Sequence, residues 1–436
     1  MDTDTIVVGA GAAGLAAARA LVASGRDALV LEARDRLGGR ILTLDDPRAL
    51  APVELGPEFV HGRPAVTFAL LAESGDTVVD NVEAAWAGSD GALEPVANDP
   101  FAAAARVFAP ALARPDESVD ALLRRAAAAG EDAGVLRWAR ALVEGFDAAD
   151  PARASARAVA EEWCGDASAE GAQSRPVRGY APLIAHLARG LDPARCRIRL
   201  RSVVRAIRRD GGGVTVEGED AGGAFAWRAR RTIVTVPLGV LQAGGIAFEP
   251  PLPPGTCDAM ARLAMGPVVK VVLRFSSPFW EEVAGGRYRD AAFFRAESGP
   301  FPTFWTQVPV RARTLTAWAG GPHAAALGRL GEDEAGALAL ASAGTFFGAP
   351  SEARAACEAW YAHDWQRDPF ARGAYSYALV DAGDARARLA SPVDARLAFA
   401  GEATAQSAEA GTVAGALLSG AAAVDALALL ERSEIW

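Results

Sequence analysis

The sequence predicts an α/β protein in which a Rossmann-type dinucleotide-binding domain is interleaved with an α+β domain carrying a helical insertion. Three observations predict it. A Gly9-x-Gly11-x-x-Gly14 run directly follows an apolar strand and opens an Ala-rich helix. A second strand-to-helix crossover closes the chain, at residues 397–399 and the long helix after Ala400-Gly401-Glu402. Between them, residues 82–190 are dominated by Ala, Leu, Arg and Glu with few β-branched runs, a helical composition.

The elements follow in order. Residues 5–8 read as a strand, 9–14 as a glycine turn, the run to Ser24 as a helix and 28–32 as a second strand, which together make one βαβ half-unit. Strands return at 197–207, 214–217 and 231–236, and the continuous apolar run 268–275 is another. Residues 315–318 and 375–379 are further strands. At 436 residues the chain is too long for one ordinary core, and 51% apolar residues suffice to fill two.

Composition excludes several classes. A net charge of -10 argues against nucleic acid, whose phosphates demand clustered Lys and Arg. Cys164, Cys196, Cys257 and Cys357 are widely spaced without a CxxC pair, so neither a metal site nor a disulfide framework is expected. The N-terminus runs straight into Ile6-Val7-Val8 with no basic region, so no signal peptide is expected and the cytoplasm is the predicted location. Residues 411–430 are apolar but contain Asp425 and many small residues, and they read as a buried helix and not a membrane span. A monomer or homodimer is expected.

The glycine loop has a physical reading. Gly9 and Gly11 let the backbone turn and approach a pyrophosphate, whose charge is stabilised by the amides of Ala12 and Ala13 at the helix start; Gly14 permits close helix-to-strand packing. Glu32, 18 residues on, ends the second strand, where a carboxylate can accept bonds from both ribose hydroxyls. A second glycine pair and several guanidinium groups follow at once in Glu32-Ala33-Arg34-Asp35-Arg36-Leu37-Gly38-Gly39-Arg40, a second phosphate-approach loop suited to the longer molecule FAD.

That run resembles the signature of the flavin-containing amine oxidase superfamily, which includes monoamine oxidases, polyamine oxidases and lysine-specific histone demethylases. Further stretches are similar to the same family in the same order. Glu54 to Gly62 resembles the segment beside the flavin ring, which places Gly56, Pro57 and Glu58 at the cofactor and His61 on the substrate side. Val204 matches a residue touching adenine. Gly401 and Glu402 resemble the second FAD loop, with Glu402 at the ribityl or pyrophosphate region. Thr412 and Val413 start a helix whose amides would stabilise charge at flavin N1/O2. The resemblance implies an FAD-binding domain at residues 1–78, 195–262 and 385–436 and a substrate-binding domain at 79–194 and 263–384.

Lys270 lies in an otherwise apolar strand, where an ammonium needs compensation. The resemblance gives it a water held against flavin N5; the alternative is an edge-strand lysine reaching water. Trp365 and Tyr375 match a flavin-packing tryptophan and one wall of an aromatic cage. The other cage position falls on Thr412, which implies a half-open cage. Ala374 stands where monoamine oxidases tether flavin through cysteine, so FAD is expected without a covalent link. Glu58 and His61 would bind a distal ammonium, or serve as structural hydrogen-bonders.

The resemblance therefore implies hydride transfer from a small-molecule amine, polyamine-like in preference, to flavin N5, then imine hydrolysis and reoxidation by O2 to hydrogen peroxide. Related L-amino acid oxidases present an arginine near the segment holding residues 56–61, and within that segment none stands before Arg63; a monooxygenase acting on an amino acid would need a carboxylate partner, and none is found near His61. A desaturase or protoporphyrinogen-type oxidase would lack a use for Lys270 with Tyr375. A non-catalytic flavin-binding protein would not need them either.

Overall fold

The computed structural model describes residues 1–82, 84–96, 99–165, 173–406 and 409–434. Its first sheet has eight strands. Thr3–Val8 lies inside it, parallel to Ala28–Leu31 on one side and to the end of Gly223–Val234 on the other. The closing strand Leu397–Phe399 pairs parallel with that same end, so both chain termini feed one sheet, as the two crossovers predict. Gly223–Val234 does two jobs, and its burial records them. Its first half alternates between exposed and partly buried residues, where it forms a hairpin with Gly213–Asp220; its last four residues are all buried, where parallel neighbours and helices cover both faces.

The expected strand at 197–207 is two strands. Cys196–Arg199 forms the sheet edge beside Ala28–Leu31, and Val203–Asp210 pairs with Gly213–Asp220. Arg201 between them has a φ of 52°, which no strand accommodates. The turn is held by amides of Arg201 and Ser202 donating to the carbonyls of Arg34 and Glu32, each at 2.8 Å.

The second sheet has seven strands, with Val268–Phe275 between Thr314–Gly320 and Cys357–Ala362. All eight residues of Val268–Phe275 are buried. Its far edge corrects the sequence reading: residues 85–95, expected to be helical, form the hairpin Ala85–Ser89 and Ala92–Pro95. Asp90 and Gly91 adopt φ of 49° and 80°, turn conformations that no helix continues through. Helices of the insertion begin at Pro100–Phe108 and continue through Val119–Ala128, Ala133–Gly145 and Ala156–Trp163. Asp99, Ser118, Asp132 and Ser155 cap these four helices with side-chain oxygens. Residues 166–172 of the expected insertion lie outside the described residues.

Two more segments of that stretch are not part of a helical insertion. Gln173–Pro176 is a strand between Val60–His61 and Val78–Asp80. The helix Ala181–Arg189, assigned by sequence to the substrate-binding region, sends Leu183, Ile184 and Leu187 into the same core as Val7, Leu15 and Leu21 of the nucleotide-binding layer.

The C-terminal helix Val413–Glu434 is long and apolar enough to cross a membrane by length and composition, the one such helix among the described residues. It packs on the first helix, Ala12–Ala23, with Leu417, Ala423, Val424 and Leu427 buried. Contact is so close that a Cβ on Gly420 would lie 2.1 Å from the carbonyl oxygen of Ala13. Gly420→Ala should therefore destabilise the fold by about 1–3 kcal/mol through overpacking, and should weaken retention of any nucleotide held by the first helix. A melting temperature equal to that of the parent chain would show that the two helices part easily.

Candidate active site

One cavity of about 2000 Å³ runs from the glycine loop to the helical insertion. At its nucleotide end, Ala12–Ala23 starts with no side-chain cap, which leaves first-turn amides free for an anion. Gly9 has a φ of 105°, and a Cβ on Gly14 would fall 1.9 Å from the carbonyl oxygen of Gly9, the close packing expected of that glycine. Gly11 and Gly38 pair in a parallel bridge, so the two glycine loops are joined. Glu32 reinforces the joint. One carboxylate oxygen accepts from Ala10 N at 2.7 Å and the other from Arg34 N at 2.8 Å. Burial raises its pKa against the pull of those amides and of Arg34. Ala33 and the buried Val204 line the same end.

The guanidinium groups of the second loop are engaged by protein. Arg34 makes a two-pronged pair with Asp368 at 2.7 and 2.8 Å and lies over the rings of Trp365 and Phe370. Arg36 donates to three carbonyls of its own loop, those of Leu37, Gly39 and Ile41. Arg40 donates to Ala374 O at 2.7 Å and to Glu402 at 2.8 Å. The second oxygen of Glu402 accepts from Ser376 N and Oγ, so this buried carboxylate, at the cavity wall, locks three segments together. Backbone near Gly401 is what remains open, since a Cβ there would meet nothing within 4 Å. These features fit FAD: an uncapped helix start, a ribose acid held in place, and a wide cavity beyond.

At mid-cavity stands Lys270, 1% exposed. Its strand is internal, which removes the reading of an edge lysine reaching water. The ammonium donates to Gly56 O at 3.2 Å and Glu58 Oε2 at 2.8 Å, and it lies 5.4 Å from the ring centroid of Trp305. Glu58 also accepts from Trp305 Nε1 at 3.0 Å and Gln307 Nε2 at 2.8 Å, and forms an ion pair with Arg175, whose Nε lies 3.1 Å from Oε1. Burial opposes its ionisation, but Lys270 and Arg175 outweigh it and hold the carboxyl down at about 2. Both oxygens are thus occupied, and Glu58 is a structural hydrogen-bonder, not a receptor for a distal ammonium. Pro57 lines the cavity beside it.

Trp365 is buried, its Nε1 donating to Leu55 O at 2.8 Å. Tyr375 pairs across its strand with Gly266 and donates its hydroxyl to Phe146 O at 2.5 Å, which fixes the ring as a wall. Burial raises its pKa well above the ordinary phenol value, so it stays neutral. Lys270 and Tyr375 face the same cavity. Thr412 caps the C-terminal helix, its Oγ1 accepting from Gly415 N at 3.0 Å and donating to Glu409 O at 2.8 Å, with Val413 following at the cavity wall. His61 is open to the cavity yet enclosed by protein, edge-on to Phe146 at 5.1 Å. Burial pushes its pKa down to about 4, so the ring is neutral near pH 7.

Two acids at the insertion end carried no sequence motif. Asp147 is buried without an ion-pair partner among the described residues, and the indole of Trp163 eases its charge. Burial, with Glu162 adding repulsion, raises its pKa well above the usual carboxylate range. Glu162 borders the same space, its carboxylate has no hydrogen bond among the described residues, and it is raised by burial to about 7 despite Arg386. Arg175, Trp305 and Gln307 were missed as well, because only folding brings them to Glu58.

Comparison with known proteins agrees with this geometry. The family model for flavin containing amine oxidoreductases matches residues 91–428, and one for NAD(P)-binding Rossmann-like domains matches residues 7–74. The chain is 32% identical to polyamine oxidase 4 of Oryza sativa subsp. japonica over 96% of this chain and 87% of that one. It is 30% identical to polyamine oxidase 2 of Arabidopsis thaliana over 98% and 89%. Among solved structures, putrescine oxidase bound to putrescine superposes with a TM-score of 0.80 at 23% identity, covering 98% of this chain and 99% of the other. Cyclohexylamine oxidase from Brevibacterium oxydans IH-35A gives 0.78 at 23% with full coverage of both.

The Glu58 cluster sets a stability test. Glu58→Ala leaves two buried cations without their carboxylate and should cost about 3–5 kcal/mol, while Glu58→Gln should cost less. Because the folded-state pKa lies below the usual 4.5, this stabilisation is present above pH 4.5 and is lost as pH falls toward about 2. Denaturant titrations between pH 2 and 6 measure it, and identical pH slopes for wild type and Glu58→Gln would contradict the assignment.

Proposed function

Since this chain belongs to the flavin containing amine oxidoreductase family and is an FAD-dependent amine oxidase, we propose that it oxidises a di- or polyamine whose distal ammonium is received by Asp147 and Glu162. The observation that carries the reading is the pair of carboxylates that form no ion pair among the described residues, Arg386 reaching Glu162 only through its charge, in the cavity that Tyr375 walls. Two acids so placed repel each other and hold protons that a ligand cation displaces. The polyamine oxidases and the putrescine-bound structure among the relatives support the same substrate class.

Bound FAD supplies a hydride acceptor, held without a covalent link because Ala374 has no atom to form one. The protein's own groups do the rest. Tyr375 and Phe146 shape a dry channel that favours the neutral form of the reacting nitrogen. Neutral His61 adds a polar group without repelling an ammonium. Two of the three Lys270 protons are engaged by Gly56 and Glu58, which leaves one for a water in the cavity. The carbon next to nitrogen loses hydride, water hydrolyses the resulting imine to an aldehyde and an amine, and O2 takes the two electrons to give hydrogen peroxide. A cytoplasmic setting belongs to this reading, with four cysteines, none in a disulfide.

Anaerobic mixing of the yellow enzyme with butylamine, putrescine, spermidine and spermine tests it, with flavin bleaching as the readout. Diamines and polyamines should exceed butylamine in kcat/KM by about 10- to 100-fold, as a charge-assisted contact contributes. The preference should grow as pH rises through 7, because only the ionised Glu162 attracts the cation. Glu162→Gln should remove that step and Asp147→Asn most of the preference. Equal rates for butylamine and putrescine at every pH would sink the proposal.

A further inference from the structure

The reaction needs a place for one proton. An alkylamine, with a pKa of about 10, enters from neutral water as its ammonium, and hydride leaves carbon only beside a neutral nitrogen. Most groups that face the reacting end cannot take that proton. Lys270 is itself a cation, engaged by Gly56 and Glu58. Glu58 is held down at about 2 and surrounded by donors. Glu402 has Arg40 on one oxygen and Ser376 on the other; burial opposes its ionisation, but Arg40 and Arg386 outweigh it and lower its pKa. Tyr375 is a neutral phenol bonded to Phe146 O. His61, pushed by burial down to about 4, holds a proton too weakly.

Glu409 is the carboxylate left over. It lines the cavity with Gln406, Ala410 and Thr412, in the turn that leads into Val413–Glu434. Thr412 closes the turn, its amide and hydroxyl both donating to Glu409 O, at 3.3 and 2.8 Å. The turn is pressed onto the helix, for a Cβ on Gly415 would lie 2.0 Å from that carbonyl oxygen. Gly411, with a φ of 72°, lays it against Tyr375, where a Cβ would lie 3.4 Å from Cδ2 and 3.8 Å from Cβ of the tyrosine. Glu409 is therefore fixed two residues, at most about 7 Å of chain, from the foot of the cage wall. Asp147 stands at the other end of that ring, next in sequence to Phe146, which receives the Tyr375 hydroxyl, and Glu162 adds its charge there. The Glu409 carboxylate makes one weak contact, Oε2 to Thr412 Oγ1 at 3.4 Å, and no ion pair among the described residues. Burial raises its pKa against that contact, which makes it a stronger base than a surface glutamate.

We infer that Glu409 is the base that takes the proton from the reacting ammonium. The N–H bond breaks, its electron pair stays on nitrogen, and the proton passes to the carboxylate. The neutral amine then loses hydride to bound FAD and becomes an iminium, which water hydrolyses. Glu409 is half-buried, and its acid form returns the proton to water on the open side. From the preceding reading this takes only that the chain oxidises an amine.

Stopped-flow reduction of the anaerobic holoenzyme between pH 6 and 10 tests it, using the amine of the panel above that bleaches the flavin fastest. At pH 7, Glu409→Gln should lower the second-order rate constant for reduction by about 100-fold or more while FAD stays bound. The deficit should shrink to about fivefold or less at pH 10, where a substantial share of the amine is already neutral. Glu409→Asp, which keeps a carboxylate, should recover part of the loss at pH 7. The same fold-loss at every pH, an unaltered profile, or high-pH rescue in Glu162→Gln in place of Glu409→Gln would overturn the inference. The diamine preference is a separate readout: butylamine as fast as putrescine, with the Glu409→Gln rescue still seen, defeats the distal-ammonium reading and leaves this one standing.

Discussion

The buried carboxylate of Glu58 is the interaction around which the catalytic half of the molecule is assembled. It joins Arg175 from one short strand, Lys270 from the middle of the large second sheet, and Trp305 with Gln307 from a strand two places along that sheet and the loop after it. None of these donors would be tolerable in the interior alone. Removing charges from water is expensive, and the expense is met only where each charge has an opposite charge or several hydrogen bonds. One carboxylate serving two cations allows an ammonium to stand in a wholly buried strand, facing a cavity, at a position set by the sheet.

A second set of constraints joins the nucleotide-binding layer to that sheet. Arg34 grips Asp368, and Arg40 grips Glu402 and the Ala374 carbonyl, across more than three hundred residues of sequence. Trp365 and Tyr375 lie between these anchors in sequence or beside them, so they are carried to the cavity by ion pairs made elsewhere. The arginines of the second glycine loop are thus more than phosphate ligands in waiting. They act as tie rods, and the backbone and helix amides are left to approach the cofactor.

Charge inside the cavity is arranged unevenly. The mid-cavity cations Lys270 and Arg175 share the carboxylate of Glu58, whereas Asp147, Glu162 and Arg295 toward the insertion are not paired with one another. Such uncompensated groups are the expensive kind, and their clustering around the space reserved for substrate ties their cost to recognition. Neutral His61 and Tyr375 sit among them as shape and hydrogen-bonding groups.

The sequence by itself determined the nucleotide layer. Glycine spacing, the acid at Glu32 and the strand-to-helix crossovers are local patterns with local causes, and Gly9, Gly14, Gly38 and Gly39 stand where steric necessity puts them. It also singled out Lys270, because an ammonium in an apolar strand is conspicuous without any structure. Tertiary structure alone decided what surrounds these residues. Glu58 and Glu402 read equally as ligands or as braces until their partners were visible, since those partners come from distant strands. The hairpin at 85–95 escaped because alanine-rich composition masked the turn at Asp90-Gly91. Asp147, Glu162 and Arg295 follow no motif, for what sets them apart is that none forms an ion pair among the described residues, and only the folded chain can show that.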